Sequence, residues 1–401
     1  MVNKTPFVTG NCRAACYIGA SKDPGADMNS RERHLATLLF QTPDRVPISI
    51  GGGRKSTLET WRQQGLPAGE NPVLYAARQL GLPLEALDRR DGLGVDFRMI
   101  PHFEEKVLER RANSQVVQDW KGNICEIGLQ FDVSYLRNAI DFVTRNWIKC
   151  PVETRADWAD MQRRYNPDDP ARFSANLPQW LAEHQDRSAA TGLDWSGPFW
   201  QLREWLGAEE LCFLLADEPA WIAEMVEFWQ EFVCKVLERT FQRFVPDCVL
   251  INEDMAYKEH SFISPAMCRR FLLPCWQRWA RLCRQAGVQV LEVDSDGYAG
   301  QLIPLWSEAG FNCNSPLEVA AGNDLPRYRR QFGTAMAYRG GVDKRQMAAG
   351  GQQLRAEIER LAPVLRAGGY IPGCDHGIPP DVAWPNYVEF CRLLGQAAGW
   401  L

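Results

Sequence analysis

Five short apolar runs in the second half of the chain each end in an ionisable side chain. The run 247–252 leads into Asn252-Glu253-Asp254, and 288–293 leads into Asp294-Ser295-Asp296-Gly297. The run 311–315 leads into Pro316-Leu317-Glu318, 335–340 into Gly341-Val342-Asp343-Lys344, and 369–372 into Gly373-Cys374-Asp375-His376-Gly377. Carboxylates gathered in one place repel and need protons or a cation to coexist. Acids joined by one imidazole, with or without a thiolate, can hold a divalent metal such as zinc. The candidate ligands are therefore Asp294, Asp296, Glu318 and His376, with Cys374 as a further donor. His376 stands out, because the chain has only 5 histidines and this one sits beside Gly-marked turns. Structural roles compete at each position. Asp296 and Asp343 can cap the next helix instead. Glu253 and Asp254 can be solvated loop residues, Glu318 can pair with Arg327 or Lys344, and Cys374 can be a plain buried thiol. An extended backbone would turn Asp375 away from its two neighbours.

A second cluster is aromatic. In Asp194-Trp195-Ser196-Gly197-Pro198-Phe199-Trp200-Gln201-Leu202-Arg203-Glu204-Trp205 a Gly-Pro turn feeds a helix after an apolar run. Trp195 or Phe199 can supply a flat wall for an aromatic substrate, with Glu253 as a polar contact. Trp200 and Trp205 read as the core face of the helix.

The elements that must position these residues are strand–helix units. Five follow one another, beginning near Cys248, Val288, Phe311, Thr334 and Gly369. Their strands are apolar without alternation, as expected when both faces are buried. Start signals such as Ser264-Pro265 precede the helix expected over 266–286. This alternation implies parallel strands with right-handed crossovers. Strands at 46–50 and near Ala189 bring the count to seven, and an eighth is expected in the irregular region before a hairpin within 105–128. The fold class expected is α/β, a closed (β/α)8 barrel with an inserted β-hairpin. In such barrels the site lies at the C-terminal ends of the strands. No Gly-x-Gly-x-x-Gly follows a strand, which argues against a dinucleotide fold. Helices are expected over 30–40, from the capping-box spacing Ser56-Thr57-Leu58-Glu59, and from Asn71-Pro72 to Gly81. Further helices are expected over 154–170 and 180–187.

Composition sets the outer limits. With 401 residues, 45% hydrophobic and 24% charged, the chain is long enough for a full core without disulfides or metal. A net charge of -5 gives no global attraction for nucleic acid or anionic membranes. The 13 cysteines are scattered among apolar residues, as buried thiols in a reducing cytoplasm would be. Residues 1–28 read as a loose extension before one domain over 29–401. They contain no signal-peptide core, and no stretch is apolar enough to span a membrane.

Several segments, in this order, carry a family resemblance: Arg31-Glu32-Arg33 through Asp44-Arg45-Val46-Pro47, Gly197-Pro198-Phe199, Ile263-Ser264-Pro265 and Asp294-Ser295-Asp296-Gly297. They continue with Gly341-Val342-Asp343-Lys344 and the stretch from Gly369-Tyr370-Ile371-Pro372 to His376-Gly377-Ile378-Pro379-Pro380-Asp381. The chain resembles the uroporphyrinogen decarboxylase superfamily, which also holds cobalamin-dependent methyltransferases. The resemblance implies a (β/α)8 barrel and a dimer. True decarboxylases carry an Arg-rich segment after the first strand. Here that place reads Gly52-Gly53-Arg54-Lys55-Ser56-Thr57, leaving Arg54 as a substrate contact and little provision for an octa-anionic tetrapyrrole. His376 matches the decarboxylase histidine. Thiol-methylating members carry zinc on His-x-Cys and a later Cys. Those places here hold Asp294-x-Asp296 and His376 with Cys374, a harder donor set. The resemblance therefore implies a zinc-dependent methyltransferase. It would move a methyl group from a small substrate, such as a methoxylated aromatic, to a corrinoid on a partner protein. Asp294, Asp296 and His376 would carry the chemistry. Two rivals are a metal-free decarboxylase or lyase, with Asp294 or Asp296 as proton donor, and a non-catalytic corrinoid- or tetrapyrrole-binding protein.

Overall fold

The structure is a computed structural model that describes residues 27–401. The expected extension over 1–28 therefore lies almost entirely outside the described residues. Seven parallel strands form the main sheet. They are β1 (Arg90–Gly92), β6 (Ala190–Ser196), β7 (Cys248–Asn252), β8 (Val290–Asp294), β9 (Cys313–Ser315), β10 (Ala337–Val342) and β11 (Tyr370–Cys374), in that spatial order. Four antiparallel strands form a second sheet: β2 (Lys106–Arg110), β3 (Ser114–Gln118), β4 (Ile124–Gly128) and β5 (Asn146–Lys149). The hairpin expected within 105–128 is β3–β4, extended by a strand on each side.

The closed eight-stranded cylinder expected from the sequence is not formed as a continuous ladder; the main sheet is open. The strand expected before the hairpin is β1, only three residues long. The strand expected over 46–50 shrinks to two single parallel bridges, Ile48 to Leu87 and Ser49 to Gly373. Pro47 lacks an N–H, and Gly51-Gly52-Gly53 gains little from extended pairing, so the run is cut from both ends. The helix expected over 154–170 stops at Gln162 and the one expected over 180–187 runs Leu177–Glu183, and two further helix expectations change. The helix after the first bridge segment starts at Lys55, and Ser56 Oγ donates to Asp141 rather than capping a helix. The helix expected over 266–286 is two, Pro265–Phe271 and Leu273–Ala286, because Pro274 cannot donate back into the preceding turn. Elsewhere the local signals act as their chemistry dictates. Asn71 caps Pro72–Leu80 and Gly81 ends it with φ 69°. No helix among the described residues is long and apolar enough to cross a membrane, and the eleven described cysteines are free.

The first helix, Ser30–Leu38, covers the N-terminal ends of the strands. Its Leu35 and Leu38 pack on Cys248, Val290, Cys313, Ala337 and Ile371, which stand at or near the strand starts. Above this apolar floor lies a buried ion network. Glu292 of β8 accepts from Arg90 of β1 at 2.7 Å and from Arg339 of β10 at 2.9 Å. β1 lies three strands from β8, roughly 14 Å across a flat sheet. Both guanidinium groups reach one carboxylate only because the sheet curls inward. Arg339 also holds Asp88 at 2.5 Å, Asp88 pairs with His34 Nδ1 at 2.6 Å, and His34 Nε2 meets Cys248 Sγ at 3.2 Å. The two arginines hold Glu292 down at about 2 against its burial. Burial lowers the His34 pKa, but Cys248 and Asp88 outweigh it and lift the imidazole to about 9.

This network gives a signed pH dependence. Unfolded His34 releases its proton near 6.5 and folded His34 near 9, so its stabilisation is complete below 6.5 and gone above 9. Wild-type unfolding free energy should fall by roughly 2–3 kcal/mol across that window, and His34→Gln should flatten the slope. Denaturant titrations from pH 6 to 9.5 measure it; equal slopes in both proteins would contradict the assignment.

Candidate functional site

At the opposite end of the main sheet the strand ends open into a cavity of about 460 Å³. Asn252, Asp254, Asp294, Asp296, Cys374 and His376 line it, with Trp200 forming part of its wall. The carboxylates of Asp296 and Glu318 and the imidazole of His376 offer three ligand atoms within 4.8 Å of one another. They arrive from the loops after β8, β9 and β11, which lie within a run of four adjacent strands. His376 Nε2 lies 3.3 Å from Asp296 Oδ2, a contact that raises the imidazole above its ordinary value against burial. Glu318 is held by two donors: Gly297 N at 3.0 Å on Oε2 and Lys344 Nζ at 3.0 Å on Oε1.

The donor set fits a catalytic zinc. Two carboxylate oxygens and one imidazole nitrogen leave a fourth position open. Metal–ligand bonds of ~2.0–2.1 Å at tetrahedral angles put neighbouring donors about 3.4 Å apart, close to the His376–Asp296 separation. Each carboxylate oxygen offers two lone pairs, so Glu318 can keep Gly297 and Lys344 and still ligate.

Asp294 and Cys374 line the same cavity but are not members of that three-residue group. Asp294 is the last residue of β8 and accepts from Ser315 Oγ at 3.1 Å. Burial, then the charges of Asp296 and Glu292, push its carboxyl up to about 7. Burial and Asp375 push the Cys374 thiol up to about 12, so it is a neutral wall at ordinary pH. Asp375 is turned away, accepting from the backbone of Val319 and Lys344. Asp343 caps the helix Lys344–Ala349. Arg54 lies beside the His376 loop, its guanidinium over the Phe142 ring at 4.2 Å, and does not line the cavity.

Two further expected substrate contacts, like Arg54, do not line this cavity. Phe199 is buried with its ring stacked on Phe262 at 5.9 Å, so it is core and not a cavity wall. Glu253 is fully buried beneath the helix Pro198–Leu206. It accepts from Phe199 N at 3.0 Å, Trp200 N at 3.3 Å and the Trp276 indole. Its carboxylate serves the positive end of that helix, although burial pushes its pKa up to about 8. The ring that does line the cavity is Trp200, whose face carries the Arg203 guanidinium at 4.3 Å; Arg203 in turn pairs with Asp254 at 2.7 Å. The core role expected for both tryptophans holds for the buried Trp205 alone; Trp200 lies about 140° around the helix from it, and the Gly-Pro turn aims it at the strand ends.

Trp195 does reach a cavity, a second one of about 610 Å³ that shares Ser196, Trp200 and Asn252 with the first. Asp194, Arg98, Lys121 and Glu204 also line it. Sequence reasoning missed Asp194, although alternation along β6 puts it on the same face as Ser196.

No protein-family model and no curated protein matches the chain. Among solved structures, it is similar to a methyltransferase from Methanosarcina mazei at 14% identity. That likeness covers 92% of this chain and 99% of the other, with a TM-score of 0.53, and it establishes a shared fold. A B12-independent methionine synthase from a Shewanella species matches more distantly, at 9% identity and a TM-score of 0.35 over 81% of this chain and 84% of the other.

Gly197 shows how tightly the site's frame is packed. A Cβ there would stand 2.1 Å from the Glu253 carboxyl carbon, which three N–H groups hold in place. Gly197→Ala should cost roughly 2–4 kcal/mol of stability and displace Trp200. Denaturant unfolding and tryptophan fluorescence measure both; wild-type values would contradict this account of the frame.

Proposed function

We propose that the chain is a zinc-dependent methyl-transfer enzyme, with Asp296, Glu318 and His376 as the metal ligands. The observation that carries the proposal is the convergence of those three donors at the mouth of a parallel α/β fold shared with a methyltransferase. When bound there, zinc would supply Lewis-acid polarisation of the atom that bears the methyl group. The chain's own residues do the rest. Asp294, which accepts from Ser315 Oγ at the edge of the cavity, is placed to hand over a proton there. As the methyl–heteroatom bond breaks, its electron pair stays on the leaving group, which takes that proton. Lys344 keeps a fixed positive charge on the far oxygen of the Glu318–Lys344 pair and so limits the site's net negative charge. Trp200 and its neighbours exclude water from one side. The methyl acceptor in this proposal is a corrinoid carried by a separate protein. That partner, like the dimer, rests on the sequence resemblance alone.

One observation favours a second reading. Lys344 pairs with Glu318 and His376 with Asp296, so the cluster is already charge-compensated without a metal. In that case the site is a metal-free lyase in which Asp294 delivers the proton.

Metal content separates the two. Protein purified without chelator should carry about one zinc per chain, and His376→Ala or Asp296→Ala should lower the occupancy at least ~10-fold. Elemental analysis measures it. Sub-stoichiometric zinc that is unchanged by His376→Ala would remove the methyl-transfer proposal in this form.

A further inference from the structure

The 610 Å³ cavity contains one carboxylate with no partner. Among its lining side chains Asp96 is paired with Arg98 at 2.9 Å, and Glu204 is paired with Lys121. Asp194 makes no hydrogen bond or ion pair among the described residues, yet its side chain opens into this space. The two cations that act on it at longer range, Arg90 and Arg98, are already bound to Glu292 and Asp96. Asp194 is open to the water of this cavity, and partial desolvation by the surrounding protein raises its pKa. Trp120, Tyr165, Trp195 and Trp200 line the same cavity. A carboxylate left over after every nearby cation is spent, among indole rings, is complementary to a cationic nitrogen. Its volume suits a small molecule. The adjoining cavity holds Asp254, Asp294 and Asp296, so the joined space repels anions.

We infer that Asp194 binds the ammonium end of the substrate, in a cavity that continues into the Asp296–Glu318–His376 site. The substrate class is then a small molecule with two ends. One end is a protonated amine. The other end is an oxygen or sulfur that bears the methyl group and points at the three ligands. The inference rests on the proposed function only in calling this ligand the substrate; cation binding at Asp194 stands without it.

The test uses 3-methoxybenzylammonium and its neutral analogue 3-methoxybenzyl alcohol, titrated calorimetrically into the full chain. The ammonium should bind at least ~10-fold more tightly than the alcohol. Asp194→Asn should reduce that preference to within about 2-fold while leaving alcohol binding unchanged. Asp194→Ser serves if the first variant fails to fold. His376→Ala should keep the preference, so a failed metal assignment and a failed Asp194 assignment give different results. Equal affinities in the wild type, a preference that survives both Asp194 variants, or no ammonium binding at millimolar concentration would each overturn the inference.

Discussion

Charge compensation along the inner face of one curled sheet governs this molecule. Glu292 and Asp294 lie two residues apart on β8 and share a face, roughly 6–7 Å apart along the strand. Their surroundings differ sharply. Glu292 has two arginines, and its carboxyl is held at about 2. Asp294 has a serine and two more carboxylates nearby, and its carboxyl rises to about 7. The lower tier spends its cations internally and so builds structure. In the upper tier Lys344 and His376 serve Glu318 and Asp296, but no cation pairs with Asp294, a state that a ligand, a metal or a proton can relieve.

The fold serves this division by position. The first helix seals the strand starts with an apolar floor and contributes His34 to the lower network. At the other end the connections after β8, β9 and β11 bring Asp296, Glu318 and His376 together, and each is only half buried. Glu253 fixes the helix that presents Trp200, and Trp200 is common to both cavities. A buried carboxylate with three donors is thus a framework part, while carboxylates with few donors are the reactive ones.

Much of this was legible in the residues. Parallel strands and the site's place at their C-terminal ends followed from unalternated apolar runs and the acids that end them. Ring closure was not legible, because a two-residue bridge such as Ile48–Ser49 looks the same in sequence as a full strand. Glu253 and Asp254 are adjacent, yet one is fully buried and the other lines the cavity, which depends on Asp254 taking φ 38°. Phe199 and Trp200 exchanged roles for a similar reason: the turn at Gly197 sets which side of the helix faces the mouth. That Asp194 is left unpaired was invisible, because it depends on where Arg90 and Arg98 spend their charge. Lys344 was named as one partner for Glu318, and the structure selects it over Arg327.

The central claim is that acids from separate strand ends, with one imidazole, grip a cation at this mouth. Anomalous diffraction from a crystal at the zinc absorption edge tests it most directly. The account predicts a single peak within ~2.0–2.2 Å of an oxygen of Asp296, an oxygen of Glu318 and a nitrogen of His376. A crystal grown with zinc that has no peak there, with Lys344 still seated on Glu318 and His376 on Asp296, would contradict it.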